Sequence, residues 1–428
     1  MTKLPRSVVS HNTGSGRTTP RRGFWYLLAV AATTLLLVTP SSASDHRHPP
    51  HAGDSEWVGS WAAAVTPPDN RPETQHFHDQ TLRQVVHLSV GGDRFRLRLT
   101  NVHGTKPLPV GAVTVTPRRG GRGTPNIDPT TAVPMTFDGR SSTTVPAGAE
   151  WISDPVELDV ADNSDLVISV HLPESTGRAS VHYEGRSTTF LAPGDATSGS
   201  GENYESIGTA RYFLDGVDVR TDSAGSVVFF GDSITDGVSS TLDANHRYPD
   251  VVADRLLKRP EPRELGVLNA GLSANRLLTD AGLGGEPAIA RFERDILSQT
   301  GVRTVVLLEG INDIHHSAGS VESHELIGVY EQLIARAHEA GIRVVGGTIT
   351  PFEGAPRYNA AGESDRRAVN EWIRESGAFD AVVDFDAAVR DPGHPSRLAP
   401  RYDTGDHVHP NDAGLAAMAR AVEIRELY

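Results

Sequence analysis

Hydrophobic and polar residues alternate in short runs between residues 57 and 222. The clearest run is 94–100, where Phe95, Leu97 and Leu99 share one face and Arg or Thr fills the other. A period of two is typical of half-buried β-strands. Turn-forming Gly, Pro, Asp and Asn separate this run from similar ones at 82–90, 111–116, 131–137, 165–172 and 179–183. No helical period of useful length interrupts them, so the pattern predicts a β-sandwich-like domain over 57–222.

A different pattern begins at residue 223. Short apolar runs alternate with stretches of helical period, which is typical of parallel strands joined by helices. The predicted strands are 226–230, 266–268, 304–308, 343–346 and 381–385. The predicted helices are 248–257, 287–297, 321–340, 365–375 and 413–422. The pattern therefore predicts an α/β domain over 223–428, with its functional residues in the loops that follow the strands.

The first 44 residues have the features of an export signal. They hold five basic residues and no acidic one, and an apolar run at 24–38 precedes small residues that suit cleavage. The pair Arg21-Arg22 resembles a twin-arginine signal; a plain secretory signal and a retained membrane anchor are the alternatives. We therefore expect a secreted, extracellular protein without a stable membrane anchor. The following residues, 45–56, contain closely spaced histidines that could bind a metal, but their prolines favour a flexible linker.

Charge and cysteine content exclude several classes of protein. Forty Lys and Arg against 54 Asp and Glu give a net charge of −14, which disfavours binding to nucleic acid. Removal of residues 1–44 takes away five basic residues, so the remainder carries 35 − 54 = −19. The lack of cysteine excludes disulfides, a thiolate nucleophile and cysteine-based zinc sites.

Polar residues with catalytic potential follow the predicted strands. Ser233 lies in the loop after the first strand, and Gly271 and Asn312 lie in the loops after the second and third. Near the C-terminus, Asp406 and His409 stand three residues apart in one short loop, so they can hydrogen-bond each other. A serine, a histidine and a carboxylate at strand ends are the groups that acyl transfer requires.

These loops resemble the four sequence blocks of the SGNH (GDSL) hydrolase family. The matching residues, in the family's order, are Gly231-Asp232-Ser233, Gly271, Gly310-x-Asn312-Asp313 and Asp406-x-x-His409. The Gly-x-Ser-x-Gly motif of the competing α/β-hydrolase fold does not occur in the chain. The resemblance implies a flavodoxin-like three-layer α/β/α domain with a parallel five-stranded sheet, which hydrolyses esters without metal or cofactor. The β-rich segment is similar, at 57–61 and 94–100, to the front domain of exported carbohydrate-esterase-like members.

The resemblance also implies a role for each matching residue. Ser233 would be the nucleophile, His409 its general base, and Asp406 the group that orients the imidazole. The oxyanion hole would consist of the backbone N–H groups of Ser233 and Gly271 and the side-chain amide of Asn312.

Some residues of these loops have more than one interpretation. His407 is a less favoured base than the histidine two residues on, because adjacent residues of an extended loop point apart. The pair His315-His316 could suggest a metal, but adjacent histidines are poor co-ligands, so a helix face or pocket rim is favoured. Each block could also be a plain turn or helix cap. Two residues depart from the family pattern: Ile234 replaces Leu, and Ala274 stands where many members have Gly.

Three functions follow from these observations. The first is a secreted serine ester hydrolase that acts through an acyl-enzyme and removes acetyl or other short acyl groups from polysaccharides or small esters. The second is a lipid or lysophospholipid acyl hydrolase, whose mark would be a long apolar groove. The third is a glycan-binding protein with an inactive hydrolase domain. A basic stripe at Arg94, Arg96 and Arg98 could attract acidic sugars, although a solvated strand face is the favoured explanation. The sequence sets no oligomeric state.

Overall fold

The computed structural model describes residues 56–68, 76–118, 120–259, 264–317 and 320–428. The predicted signal at 1–44 and all but the last residue of the predicted linker lie outside the described residues. All described residues belong to one compact unit. Within them, no helix is long and apolar enough to cross a membrane.

The chain up to Thr221 is built from antiparallel strands. These strands are β1 (Glu56–Ala62), β2 (Gln80–Leu88), β3 (Gly92–Thr100), β4 (Leu108–Val110), β5 (Val113–Pro117), β6 (Val133–Pro134), β7 (Thr143–Val145), β8 (Glu150–Ile152), β9 (Val156–Val160), β10 (Ser164–Leu172), β11 (Val181–His182), β12 (Thr189–Pro193), β13 (Glu205–Gly208), β14 (Arg211–Tyr212) and β15 (Leu214–Thr221). One sheet has the order β1-β15-β3-β8, with β9 also paired to β3, and the other has the order β13-β12-β2-β10-β5-β6. The strand pairs β11-β14 and β4-β7 complete this β-rich part.

The two large sheets of the β-rich part share one hydrophobic core. The predicted alternation of buried and outward-facing residues at 94–100 is confirmed for its apolar face, because Phe95, Leu97 and Leu99 of β3 are buried in this core. Leu82 of β2 and Leu166 of β10 meet them from the other sheet. Burying each such side chain contributes about 1.5–3 kcal/mol, so this face pattern alone specifies which side of each strand faces inward.

The arginines on the other face of β3 are paired with carboxylates. Asp218 of β15 accepts from Nε of Arg96 at 2.9 Å and from Nε of Arg98 at 3.2 Å. Arg94 pairs with Glu157 of β9. The stripe therefore presents no unpaired positive charge, which removes the physical basis for attracting acidic sugars.

The chain after residue 225 forms the predicted parallel sheet. Its strands are β16 (Ser226–Gly231), β17 (Gly266–Gly271), β18 (Val302–Leu308), β19 (Arg343–Gly347) and β20 (Ala381–Val383), in the order β17-β16-β18-β19-β20. This is the 2-1-3-4-5 order of flavodoxin-like folds. A short hairpin, β21 (Arg390–Asp391) and β22 (His394–Leu398), follows near the C-terminus. The α/β fold preceded by a β-rich region is confirmed.

Eight α-helices accompany the parallel sheet among the described residues. They are α1 (Ser233–Asp236), α2 (Tyr248–Leu256), α3 (Ala288–Phe292), α4 (Ile311–His316), α5 (Ser323–Glu339), α6 (Ala360–Glu375), α7 (Phe385–Val389) and α8 (Asp412–Ala421). A π-helical turn, Glu293–Leu297, extends α3. The predicted strand 381–385 is too long, because Asp384 accepts from the Ala387 N–H and caps α7, which begins at Phe385.

The β-rich part covers the edge strand β17 of the parallel sheet. The Val267 N–H donates to Oγ of Ser89 at 2.8 Å, and the Gly59 N–H of β1 donates to the Thr300 carbonyl at 2.9 Å. A Cβ at Gly266 would lie 2.0 Å from the Gly59 carbonyl oxygen, so only glycine allows this approach. An uncovered edge strand is an aggregation hazard, and here the two parts of the chain protect it together.

Candidate active site

Ser233 lies at the first position of α1, directly beyond the carboxyl end of β16. Asp232 caps this short helix, and its Oδ1 accepts from the Ile234 N–H at 2.9 Å. Gly237 closes the helix in the left-handed region, with φ of 92°. This tight strand-to-helix turn leaves the serine 6% exposed and holds its backbone in one place.

The loop before α8 brings His409 to the serine. An isolated β-bridge between Asp403 and Pro410 closes the loop. Nε2 of His409 lies 2.8 Å from Oγ of Ser233, and Nδ1 lies 2.6 Å from Oδ2 of Asp406. Since a carboxylate only accepts, Nδ1 carries the proton in this arrangement, and Nε2 is the acceptor for the serine hydroxyl.

The carboxylate of Asp406 is held in its ionised form. Its Oδ1 accepts from the backbone N–H groups of Val408 and His409, each at 2.9 Å. Partial burial opposes ionisation, but the hydrogen bond from the His409 ring and these two N–H groups outweigh it and keep the pKa of Asp406 well below its usual range. Asp406 can therefore stabilise a positive imidazolium at neutral pH.

His407 faces away from the serine. Its φ is 65°, and its Nδ1 lies 2.5 Å from Oδ2 of Asp403. Oδ1 of Asp403 accepts from the His407 N–H at 3.0 Å, so this second His-Asp pair braces the loop. The two histidines point apart, as expected, and of the two it is His409 that contacts Ser233.

Asn312 comes from the first turn of α4, beyond the carboxyl end of β18. It is buried, and its amide donates one hydrogen to the Asn275 carbonyl at 3.0 Å, which leaves the second hydrogen for another acceptor. The next residue, Asp313, accepts from the N–H groups of Leu277 and Leu278. These bonds join the loops after β17 and β18 and fix the direction of the amide.

The Gly271 N–H, which the family pattern assigns to the oxyanion hole, already has an acceptor in this structure. Its N–H donates to Oδ1 of Asn269 at 2.9 Å. A Cβ at this position would lie 2.2 Å from the Asp236 nitrogen, so Gly271 is needed for the close packing of β17 against α1. Its role in the structure is steric.

The unpaired amide of this loop belongs to Ala274. The Leu272 N–H donates to Gly231, the Ser273 N–H to Asp236, and the Asn275 N–H back to Leu272. Among the described residues, the Ala274 N–H has no acceptor, and the same holds for the Ser233 N–H. Ala274 adopts a φ of 65°, a conformation that favours glycine. We call residues 272–275 the oxyanion turn.

A buried arginine, which the sequence analysis missed, connects the loops of the site by hydrogen bonds. Arg291 of α3 is 0% exposed and donates to the Gly231 and Ala270 carbonyls, each at 2.9 Å. It also donates to Oδ1 of Asn275 at 2.8 Å and to Oδ2 of Asp295 at 3.0 Å. The i, i+4 spacing of Arg291 and Asp295 was the available signal.

The pair His315-His316 lies at the end of α4. The two rings pack edge to face with their centroids 4.8 Å apart, and the ring centroids of His315 and Phe352 lie 5.9 Å apart. Burial, and then the charges of His315 and Arg357, lower the pKa of His316 to about 4. Within the described parts of the chain, no three His, Asp or Glu side chains converge as a metal site would require.

Comparison with known proteins identifies the α/β part. Residues 229–417 match the model of the GDSL-like lipase/acylhydrolase family. The chain therefore carries a GDSL-like acylhydrolase domain. This domain contains Ser233, Asn312, Asp406 and His409, and it makes the protein a carboxylic ester hydrolase. No curated protein matches the chain.

Several solved structures are similar to about half of this chain. A catalytic mutant of an acetylxylan esterase from Geobacillus stearothermophilus is 22% identical, with 48% of this chain and 94% of that chain covered and a TM-score of 0.37. A GDSL-like lipase from Bacteroides thetaiotaomicron is 21% identical, with 46% and 84% covered and a TM-score of 0.35. A member of the lipolytic G-D-S-L family from Veillonella parvula is 19% identical, with 46% and 94% covered and a TM-score of 0.33.

Proposed function

We propose that the protein is a secreted serine ester hydrolase in which Ser233, His409 and Asp406 form the catalytic triad. The observation that carries this proposal is the continuous chain of hydrogen bonds from Asp406 through His409 to Ser233. A serine hydroxyl is a poor nucleophile at neutral pH, and this chain supplies the base that it needs. Export through residues 1–44 is part of the proposal.

The reaction then runs in two halves. As Oγ of Ser233 attacks the ester carbonyl carbon, its proton passes to Nε2 of His409, and the C–O bond to the alcohol breaks as that proton is returned to the leaving oxygen. Water, deprotonated by His409, attacks the acyl-enzyme and releases the acid and the free serine. Asp406 stays ionised throughout, because its pKa lies far below neutrality.

The oxyanion formed in each half needs hydrogen-bond donors. We assign the N–H groups of Ser233 and Ala274 and the side-chain amide of Asn312 to this task. Support comes from the unpaired state of both N–H groups and from the fixed direction of the amide. Removing one donor of this kind costs about 10²–10³ in kcat in other hydrolases.

A small cavity beside the oxyanion turn, whose lining does not include Ser233 or His409, supports the proposal of a short acyl group. It measures about 120 Å³ and is lined by Leu272, Ser273 and Ala274 of the turn, by Asp236 and Leu283, and by Tyr183 and Glu184 of the β-rich part. Pockets for drug-sized ligands usually measure about 300–1,000 Å³. Its mixed lining and small size fit an acetyl or similarly short ester of a polysaccharide or small alcohol better than a long acyl chain.

Hydrolysis of nitrophenyl esters from acetate to laurate tests the proposal. We expect the wild type to prefer acetate and Ser233→Ala to lose about 10⁶ in kcat. Ser376→Ala, at the exposed serine directly after α6, is the matched control and should retain full activity. A preference for laurate with the same inactive variant would support lipid substrates instead. A wild type that hydrolyses no ester would support the glycan-binding alternative, and an active Ser233→Ala would refute the triad.

A further inference from the structure

His182 of the β-rich part reaches into the acylhydrolase domain. It is 4% exposed, and its Nδ1 lies 2.7 Å from the Ala64 carbonyl oxygen while its Nε2 lies 3.1 Å from Oδ1 of Asp236. A carbonyl and a carboxylate are both acceptors, so each ring nitrogen has to donate. Burial opposes protonation, but the charge and hydrogen bond of Asp236 outweigh it and raise the pKa of His182 above its usual value. The two acceptors and the raised pKa both favour the protonated, positively charged ring.

Asp236 connects this histidine to the oxyanion turn. It is the last residue of α1, three positions after the nucleophile, and it is 2% exposed. Its Oδ2 accepts from the Ser273 N–H at 3.0 Å and from Oγ of Ser273 at 2.7 Å. One carboxylate therefore holds both His182 and the oxyanion turn.

The residue after Ser273 is Ala274, whose unpaired N–H we assigned to the oxyanion. A lone buried carboxylate would be costly, and without a cation it would protonate or turn toward another positive group. The guanidinium of Arg247 is near enough to feel the charge of Asp236, although it is already paired with Asp250. The His182 ring holds the carboxylate in the position from which it binds Ser273.

We propose that His182 is a positioning residue for the oxyanion turn: through Asp236 and Ser273 it sets the place of the Ala274 N–H. This inference rests on the proposed function. Residue 182 lies outside the matched region 229–417, so the β-rich part contributes to the site a group that the acylhydrolase domain does not contain.

The expected effect falls on kcat. An oxyanion exists only in the transition state and intermediate, so a misplaced donor weakens binding there and not in the substrate complex. A shift of about 1 Å in a catalytic group can cost about 10² in rate. For His182→Gln, which can donate to Asp236 but carries no charge, we expect kcat to fall by about 10- to 100-fold with KM changed less than twofold.

The matched control is His171→Gln. His171 also belongs to the β-rich part and pairs with an aspartate, Asp79, at 3.2 Å, outside the proposed site. This variant should keep the kcat of the wild type. Unchanged kcat in a folded His182→Gln, or an equal loss in both variants, would overturn the inference.

A double-mutant cycle separates positioning from general loss of stability. Ser273→Ala removes only the hydroxyl bond to Asp236 and should lower kcat by about 10-fold. Because both changes act through one carboxylate, the double variant should lose much less than the product of the two single losses. If the losses of the two single variants multiply in the double variant, the inference is contradicted. If His182→Gln proves unstable, the same cycle can be made with His182→Asn.

Ser233→Ala in the same assays distinguishes failure of the proposed function from failure of the positioning role of His182. If Ser233→Ala retains activity, the proposed function itself fails. If Ser233→Ala is inactive while the His182 variants match the wild type, the triad stands and only the positioning role of His182 fails.

Discussion

Ala274 holds a left-handed conformation in the oxyanion turn, with φ of 65°. A residue with a Cβ pays about 1–2 kcal/mol for this conformation, which glycine adopts freely. The cost is tolerated because the two flanking N–H groups, of Ser273 and Asn275, are bound within the loop and fix the backbone. The strained backbone thus lies near Ser233 and orients an unpaired N–H group.

Ala274→Gly should therefore stabilise the protein. We expect the free energy of unfolding to rise by about 0.5–1 kcal/mol, with kcat within about twofold of wild type because the N–H remains. Denaturant unfolding followed by esterase assays would measure both. Ala368→Gly, within helix α6, is the control and should lose about 1 kcal/mol. An Ala274→Gly variant that is less stable than wild type would show that the turn is not strained.

The helix α1 begins with a buried carboxylate that has an unusual environment. Oδ2 of Asp232 is buried without a hydrogen-bond partner, and Glu309 of the neighbouring loop is fully buried as well. Burial, opposed by the Ile234 N–H and by His409, raises the pKa of Asp232 to about 7. The turn that presents Ser233 thus carries an acid that binds a proton more tightly in the folded chain than in the unfolded chain.

This acid gives stability a definite dependence on pH. Between about pH 4 and pH 7, the folded state holds a proton that the unfolded state has lost, so the free energy of unfolding falls as pH rises through this window. Asp232→Asn keeps the cap oxygen for Ile234 and removes the titration. Its unfolding free energy should fall less steeply, with a difference on the order of a few kcal/mol between pH 4 and pH 8.

Urea unfolding at several pH values measures this difference. Asp138→Asn, at an exposed turn residue, should follow the wild-type curve. Parallel curves for wild type and Asp232→Asn would mean that Asp232 stays ionised in the folded protein.

At the scale of the whole molecule, the β-rich part packs against β17, the edge strand of the parallel sheet. Gly266 of β17 approaches the Gly59 carbonyl of β1 too closely for any side chain. The same strand leads, six residues later, into the oxyanion turn. The contact that joins the two parts therefore also supports the site.

Gly266→Ala should disturb both stability and activity. We expect a loss of about 1–3 kcal/mol, typical of overpacking, together with a lower kcat. Thermal unfolding and nitrophenyl acetate hydrolysis would measure the two effects. Gly328→Ala, on α5 where no atom lies within 4 Å of the added carbon, is the control and should gain up to about 1 kcal/mol. A Gly266→Ala variant equal to wild type would mean that β1 does not pack tightly on β17.

The sequence by itself predicted the five parallel strands, several strands of the β-rich part and the residues of the candidate site. The burial of Phe95, Leu97 and Leu99 follows from their period of two, and the parallel strands follow from apolar runs, because both patterns are local. Ser233, Asp406 and His409 could be named for the same reason: each stands in a short motif directly after or before a regular element. The sequence analysis extended β20 to residue 385, but the strand ends at Val383. Helix capping by Asp384 outweighs the apolar pattern that continues to Phe385.

Tertiary structure alone decided which groups meet and which are free. Gly271 and Ala274 lie in one loop, and only the hydrogen bonds of that loop, to Asn269, Gly231 and Asp236, show that the unpaired N–H belongs to Ala274. His182 stands 54 positions before Asp236 and carries no motif, so its place beside the site depends on how the β-rich part packs on the parallel sheet. Contacts between residues distant in sequence depend on packing in three dimensions, and no local pattern of residues encodes them.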